Sequence, residues 1–145
     1  MKIGVASDHR GYKMKEKVIN YLKDKNYEVI DYSTSSEKSV DYPLYGFKLG
    51  ESLASDKIDK AIAICGTGIG IGIAMNKVKG VICAKVSTKK EATLATEHNH
   101  ANAISISGEI PFFKVKGLIN SYLNSEELPD EKYKRREKEL KEYKW

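Results

Sequence analysis

Apolar, β-branched runs alternate with segments of helical period along most of the chain. Residues 2–6 (KIGVA) have the composition of a buried strand, and between Tyr12 and Lys25 the apolar positions Met14, Val18, Ile19 and Leu22 recur at helical spacing. A second strand is expected over 27–32 (YEVIDY), then a polar loop, STSSEKSVDY. Pro43, with its preset φ, opens a helix that runs to about Ser55 and is apolar at Leu44, Phe47, Leu49 and Leu53. The alternation continues with a strand at 60–65 (KAIAIC), a glycine-rich loop with a short helix to about Lys77, and a strand at 81–86 (VICAKV). A helix over 89–97, a strand over 103–107 (AISIS), a helix over 112–123 and a charged helix over about 130–143 complete the series.

Strands separated by helices imply right-handed βαβ crossovers and a parallel sheet covered on both faces. The pattern predicts an α/β fold with five strands and a C-terminal helical extension, in one domain over 1–145 without repeat or linker. Ligands of such sheets sit beyond the carboxyl ends of the strands. Asp8 and His9 follow the first strand, Cys65 closes the third, Ser87 follows the fourth and Gly108 the fifth. His98 precedes the fifth strand, so it must reach that region from a helix end or from another subunit.

Composition narrows the class. Hydrophobic residues at 41% and charged residues at 31% describe a folded globular chain. No apolar run approaches the roughly 20 residues of a membrane span. The N-terminus, MKIGVASDH, starts a strand at once and lacks signal-peptide anatomy. Two cysteines, Cys65 and Cys83, are too few for a disulfide framework, so a reduced, cytoplasmic protein is expected. The net charge of +5 is concentrated in EKYKRREKELKEYK, residues 131–144, where acids alternate with bases. That alternation describes a solvated helix face with i,i+4 pairs and not a nucleic-acid platform.

The chemistry concentrates in CGTGIGIG, residues 65–72. The dinucleotide fingerprint fails, since its last glycine would fall on Ile71 or Ile73. The P-loop triplet Gly-Lys-Ser/Thr is absent, and a cysteine phosphatase would need arginine where Ile71 stands. A receiver domain would need aspartate in place of Cys65. What survives is a glycine turn feeding a helix N-terminus, a cradle for an oxyanion. A thiol beside such a cradle is drawn toward the thiolate. A base next to an oxyanion cradle suits proton abstraction alpha to a carbonyl, with an enediolate held as it forms. Cys83, in mid-strand, is expected to be a small buried hydrophobe.

The combination SDH at 7–9, VDYP at 40–43, CGTGIG at 65–70, NK at 76–77 and HNHAN at 98–102 resembles the type B ribose-5-phosphate isomerases and the galactose-6-phosphate isomerase subunits. The resemblance implies a Rossmann-like three-layer αβα sandwich acting as an aldose–ketose isomerase, without metal or organic cofactor. It also implies a homodimer or dimer of dimers with pockets at the subunit interface, the last helix packing on the partner. By the same resemblance, Cys65 is the base that moves a proton between C1 and C2, Thr67 orients it, and the N–H groups of Gly66, Gly68 and Gly70 hold the enediolate. His98 helps open the sugar ring with Asp8 near the ring oxygen, Asn99 meets a hydroxyl, His9 the phosphate, and Tyr42 lines the sugar pocket. Plainer roles compete: Asp8 as a helix N-cap, Asp41 to Pro43 as helix-start chemistry, and His100 as a surface histidine.

The chain departs from this pattern at the phosphate grip. Relatives carry an arginine where Ile110 stands and Arg-His-x-x-Arg where this chain has Lys132 to Arg136, so only Arg136 matches cleanly. Lysine cannot reproduce the bidentate fork of arginine. Arg10, then Arg135, are the candidates to compensate. The expected substrate is ribose 5-phosphate, interconverted with ribulose 5-phosphate. The alternatives are a galactose- or allose-6-phosphate type substrate, and a non-catalytic phosphosugar- or nucleotide-binding regulator.

Overall fold

In KAIAIC the two alternating sets of side chains differ in size, and this difference organises the fold. The computed structural model describes residues 1–33 and 38–143. In chain order it contains β1 (Lys2–Ser7), α1 (Tyr12–Asp24), β2 (Glu28–Asp31), α2 (Tyr42–Ala54), β3 (Lys60–Cys65) and α3 (Ile69–Asn76). These are followed by β4 (Cys83–Lys85), α4 (Lys89–Glu97), β5 (Ala103–Ser107), α5 (Phe112–Asn124) and α6 (Glu131–Glu142). The five strands are all parallel, in the order β2-β1-β3-β5-β4. The α/β sandwich expected from the alternation is therefore observed. Part of the polar loop over 33–42 lies outside the described residues.

One face of the sheet is built from Ile3, Val5, Ile62, Ile64, Ile104 and Ile106, packed against Val18 and Leu22 of α1 and Val115, Leu118 and Ile119 of α5. The other face carries Ala6, Ala61, Ala63, Cys65 and Ala103 under Leu49 and Leu53 of α2 and Ile71 and Met75 of α3. Small side chains there let α2 and α3 lie close to the strands and to each other. A Cβ on Gly46 would stand 2.6 Å from that of Ala74, and one on Gly72 would stand 2.5 Å from Ser105 Oγ. Full burial of each isoleucine or leucine is worth about 1.5–3 kcal/mol, so the large-residue face carries most of the core energy.

Two strands are shorter than expected. β2 loses one residue at each end, an ordinary uncertainty of strand limits. β4 begins at Cys83 and not at Val81, because side chains take over the ladder there. Asn102 accepts the Ile82 N–H through Oδ1 at 2.8 Å and donates through Nδ2 to the Gly80 carbonyl at 3.0 Å. Asn76 does the same for the Cys83 carbonyl and N–H, at 2.9 and 2.8 Å. Asn76 and Asn102 are therefore structural clamps. Cys83 is buried, and burial pushes its thiol up to about 12, as suits an inert core cysteine.

The expectation of a surface histidine at 100 is corrected. His100 is buried in a left-handed turn with φ of 50°. Its Nε2 donates to the Leu128 carbonyl at 3.0 Å, and its Nδ1 lies 2.8 Å from Glu137 Oε2 on α6. Helical spacing alone could not show this, because the partners are 28 and 37 residues away. The alternating charges of α6 form the expected i,i+4 pairs, Arg135–Glu139 at 4.0 Å and Lys141–Glu137 at 2.9 Å. No α6 side chain is buried, so the His100 bridge and its neighbours hold the helix on. Among the described residues, no helix is long and apolar enough to cross a membrane.

Burial raises the Glu137 carboxyl, but hydrogen bonds from Lys141 and His100 outweigh it, and the net shift is downward. A depressed carboxylate stabilises the folded state above the ordinary glutamate range and loses that contribution as pH falls through its folded value. Glu137→Gln should therefore flatten the acid limb of thermal stability. At neutral pH it should cost about 1–2 kcal/mol, with loss of amide protection concentrated in α6. Thermal melts from pH 3 to 8 with hydrogen exchange check this; an acid limb equal to wild type would show that another group governs it.

Candidate active site

The strand order reverses between β1 and β3, because β1 lies between β2 and β3 while the chain crosses over from β2 to β3. Such a switch point opens a crevice at the carboxyl ends of the two strands. Cys65 is the last residue of β3 and is 5% exposed. Its Sγ accepts the Gly68 N–H at 3.1 Å, so the sulfur sits inside the curl of the glycine loop. Gly68 has φ of +81°, and a Cβ there would meet the Ile106 carbonyl carbon at 2.8 Å. Only glycine meets both demands. The turn delivers the chain into α3, where Gly70 contributes one of the first-turn N–H groups that no helix satisfies itself. Thr67 Oγ1 accepts the Ile69 N–H at 3.1 Å, which leaves its hydroxyl hydrogen free for another partner. The loop is tied down on the β5 side: Ser107 Oγ donates to the Gly66 carbonyl at 2.7 Å, and the Gly108 N–H donates to the Cys65 carbonyl at 2.8 Å.

The residues after β1 and at the start of α2 form the wall. Asp8 is buried, and its Oδ1 accepts the Gly11 N–H at 3.0 Å. It closes the turn ahead of α1, whose cap position is Gly11, and so serves part of the capping role considered for it. His9 Nδ1 accepts the Val40 N–H at 3.2 Å, which fixes the tautomer with hydrogen on Nε2. Arg10 lies across Gly66: a Cβ on that glycine would stand 2.1 Å from Arg10 Cζ. Its Nε and Nη2 both donate to Glu109 Oε1, at 3.1 and 2.6 Å. The hydrogen bond and the charge of Glu109 hold the guanidinium above its ordinary pKa, with smaller help from Asp8 and Cys65. Tyr42, the first residue of α2, covers Gly70, where a Cβ would stand 2.8 Å from Tyr42 Cζ. Asp8, His9, Arg10, Tyr42, Cys65, Gly66, Thr67, Gly68 and Gly70 therefore line one end of the sheet.

The remaining predicted residues lie at the other end. His98 is the C-cap of α4, and the chain passes from it through Asn99 into the amino end of β5. Its ring stacks on Tyr133 of α6, centroids 4.9 Å apart and planes 10° from parallel. Lys132 and Arg136 are exposed on the same helix, with Lys132 Nζ 5.0 Å from the Tyr133 ring centre. The five residues of β5 at about 3.3 Å each put roughly 15 Å between the two clusters. Within one chain the fold holds His98, Asn99, Lys132 and Arg136 away from Cys65. Ile110 packs against the isoleucine face of the core, not into the crevice.

Sequence reasoning missed Ser107, Glu109 and Tyr133 as parts of these clusters. Their partners are remote in the chain, so no local pattern announces them. His100, Glu127 and Glu137 bring ligand atoms within 4.8 Å of one another, as a metal site would. Their polar atoms already face one another and Leu128, and they act as the attachment of α6.

The family model described as Ribose/Galactose Isomerase matches residues 3–140. Ribose-5-phosphate isomerase B of Escherichia coli is 32% identical over 126 residues, which is 86% of this chain and 85% of that protein. Galactose-6-phosphate isomerase subunit LacB of Clostridium acetobutylicum is 35% identical over 130 residues, 89% of this chain and 75% of that one. The crystal structure of a ribose 5-phosphate isomerase from Thermotoga maritima superposes with a TM-score of 0.93 at 38% identity, covering 98% of both chains. With the match running from β1 into α6, the chain belongs to the ribose/galactose isomerase family of sugar-phosphate isomerases.

Proposed function

We propose that this protein interconverts ribose 5-phosphate and ribulose 5-phosphate, with Cys65 as the proton-transferring base. The observation that carries the reading is the sulfur of Cys65 held by the Gly68 N–H at the start of α3. The thiolate takes the proton from C2 of the open-chain aldose, and the electron pair moves to form the C1–C2 double bond while negative charge collects on O1. Main-chain N–H groups of the loop and the α3 dipole offset that charge. Return of the proton to C1, with transfer of the O2 proton to O1, gives the ketose. Thr67, whose hydroxyl hydrogen is free, orients the reacting oxygens. Asp8 attends the ring oxygen, and His9 presents Nε2–H to the phosphate.

The second half of the site comes from a second copy. His98, for ring opening, Asn99, Lys132 and Arg136 sit at the far end of their own sheet and can complete only a neighbour's crevice. A matching surface borders the glycine loop. Ile69 and Ile73, four residues apart on α3, are 55% and 56% exposed, and Leu44 and Phe47 of the adjoining α2 are exposed as well. Apolar residues so placed fit a two-fold interface that brings the α6 of one copy to the crevice of the other. The protein would then act as a homodimer or a dimer of dimers in the cytoplasm.

A 6-phosphohexose is the second reading. It is favoured by the similarity to a galactose-6-phosphate isomerase subunit and by Ile110 and Lys132 at the phosphate grip. A bidentate arginine bond to a charged oxygen is worth on the order of 1.5–3 kcal/mol, so its loss shifts preference among sugar phosphates measurably.

Cys65→Ala should lower kcat by about 100-fold or more, the usual contribution of a general base, while sugar-phosphate binding persists. Retained turnover would remove Cys65 from the chemistry. On a panel of ribose 5-phosphate, galactose 6-phosphate, allose 6-phosphate and the free sugars, the highest kcat/KM should fall on ribose 5-phosphate. A hexose phosphate in first place would establish the second reading. Equal mixing of inactive Cys65→Ala and His98→Asn subunits should restore about a quarter of wild-type activity, because half of randomly paired dimers hold one intact shared site. No recovery after verified exchange would place each site within a single chain.

A further inference from the structure

Arg10 and Glu109 come from the loops that leave β1 and β5, and they meet above the glycine loop. Both hydrogen bonds of the pair fall on one carboxylate oxygen. The two side chains are 50% and 55% exposed, so the pair is within reach of an incoming ligand. Glu109 is not a wandering surface group. Its N–H donates to Ser107 Oγ at 3.1 Å, and that hydroxyl donates to the Gly66 carbonyl, which ties the Glu109 main chain to the glycine loop while its carboxylate is held by Arg10. Arg10 in turn rests on Gly66 itself. The guanidinium on the glycine loop is therefore already matched by an anion of the same chain.

A phosphate that approaches Arg10 meets that anion on the same guanidinium. The fork of arginine suits a phosphate or a carboxylate equally well, so the two compete for one partner, and the two like charges repel when both are close. We propose that Glu109 is a specificity-determining residue. It competes with the substrate phosphate for Arg10, so the site holds tightly only those ligands whose phosphate reaches far enough to take the guanidinium over. This deepens the isomerase reading and rests on it for the identity of the ligand, but the competition itself needs only an anion and Arg10. Glu109 touches no reacting atom in this scheme, and its effect falls on binding and not on proton transfer.

The test compares wild type with Glu109→Gln, Glu109→Ala, Arg10→Ala and the double variant Arg10→Ala/Glu109→Gln. Inorganic phosphate affinity is measured by calorimetry, and KM and kcat with ribose 5-phosphate, with thermal melts as a check of folding. Removing the carboxylate should tighten phosphate binding and lower KM by about three- to tenfold, with kcat within about twofold of wild type. The gain should shrink as salt is added and should vanish in the Arg10→Ala background. An unchanged or weakened affinity in both Glu109 variants, or a gain that survives loss of Arg10, would overturn the proposal. The phosphate titration needs no turnover, so the two readings fail separately. Absence of isomerisation on every sugar phosphate would sink the isomerase reading alone, while turnover with an unaltered phosphate affinity would sink the role of Glu109 alone.

Discussion

One hydrogen bond organises the reactive end of this molecule: the main-chain N–H of Gly68 pointing at the sulfur of Cys65. It can form only if the chain curls back within three residues, which requires the left-handed conformation at Gly68. The same curl delivers the chain into α3, whose first N–H, that of Ile69, is taken by Thr67 Oγ1. A side chain at 68 would strike β5, and the thiol and the start of the helix would separate. The Cys65 thiol and the start of α3 are thus positioned by one backbone feature, and the role proposed for Cys65 depends on it.

The division of the sheet into a face of isoleucine and a face of alanine explains how that feature is supported. Small residues at Ala61 and Ala63 precede Cys65 on the same face, so α2 and α3 settle close to the strands. That proximity brings Tyr42 over Gly70 and lets Gly72 press on Ser105. The opposite face supplies bulk and rigidity through α1 and α5. Stability and chemistry are thereby placed on different sides of the same strands.

The far end of the sheet is organised by contacts remote in sequence. His100 joins the turn before β5 to α6 through Glu137, and Tyr133 lies on His98. Because α6 buries no side chain of its own, this small cluster sets where the helix lies and hence where Lys132 and Arg136 are presented. The Asn76 and Asn102 clamps stiffen the same region by replacing missing ladder bonds of β4.

Much of this was legible along the chain. The alternation of strand and helix patterns gives the five-stranded parallel sandwich, because the periods of 2 and 3.6 residues are local properties of the backbone. CGTGIG gives the tight turn into α3 for the same reason: glycine at fixed spacing is a local statement about allowed backbone angles. The sequence also shows which end of the sheet carries Cys65, Asp8 and His9, since parallel strands expose their carboxyl ends together. Only the tertiary structure decided that the last helix joins His98 at the amino end of β5, that His100 is buried, and that Glu109 rather than solvent faces Arg10. Those facts join residues dozens of positions apart, and charge or exposure at such a contact is set by what the fold brings across the gap, which no neighbour in the chain encodes.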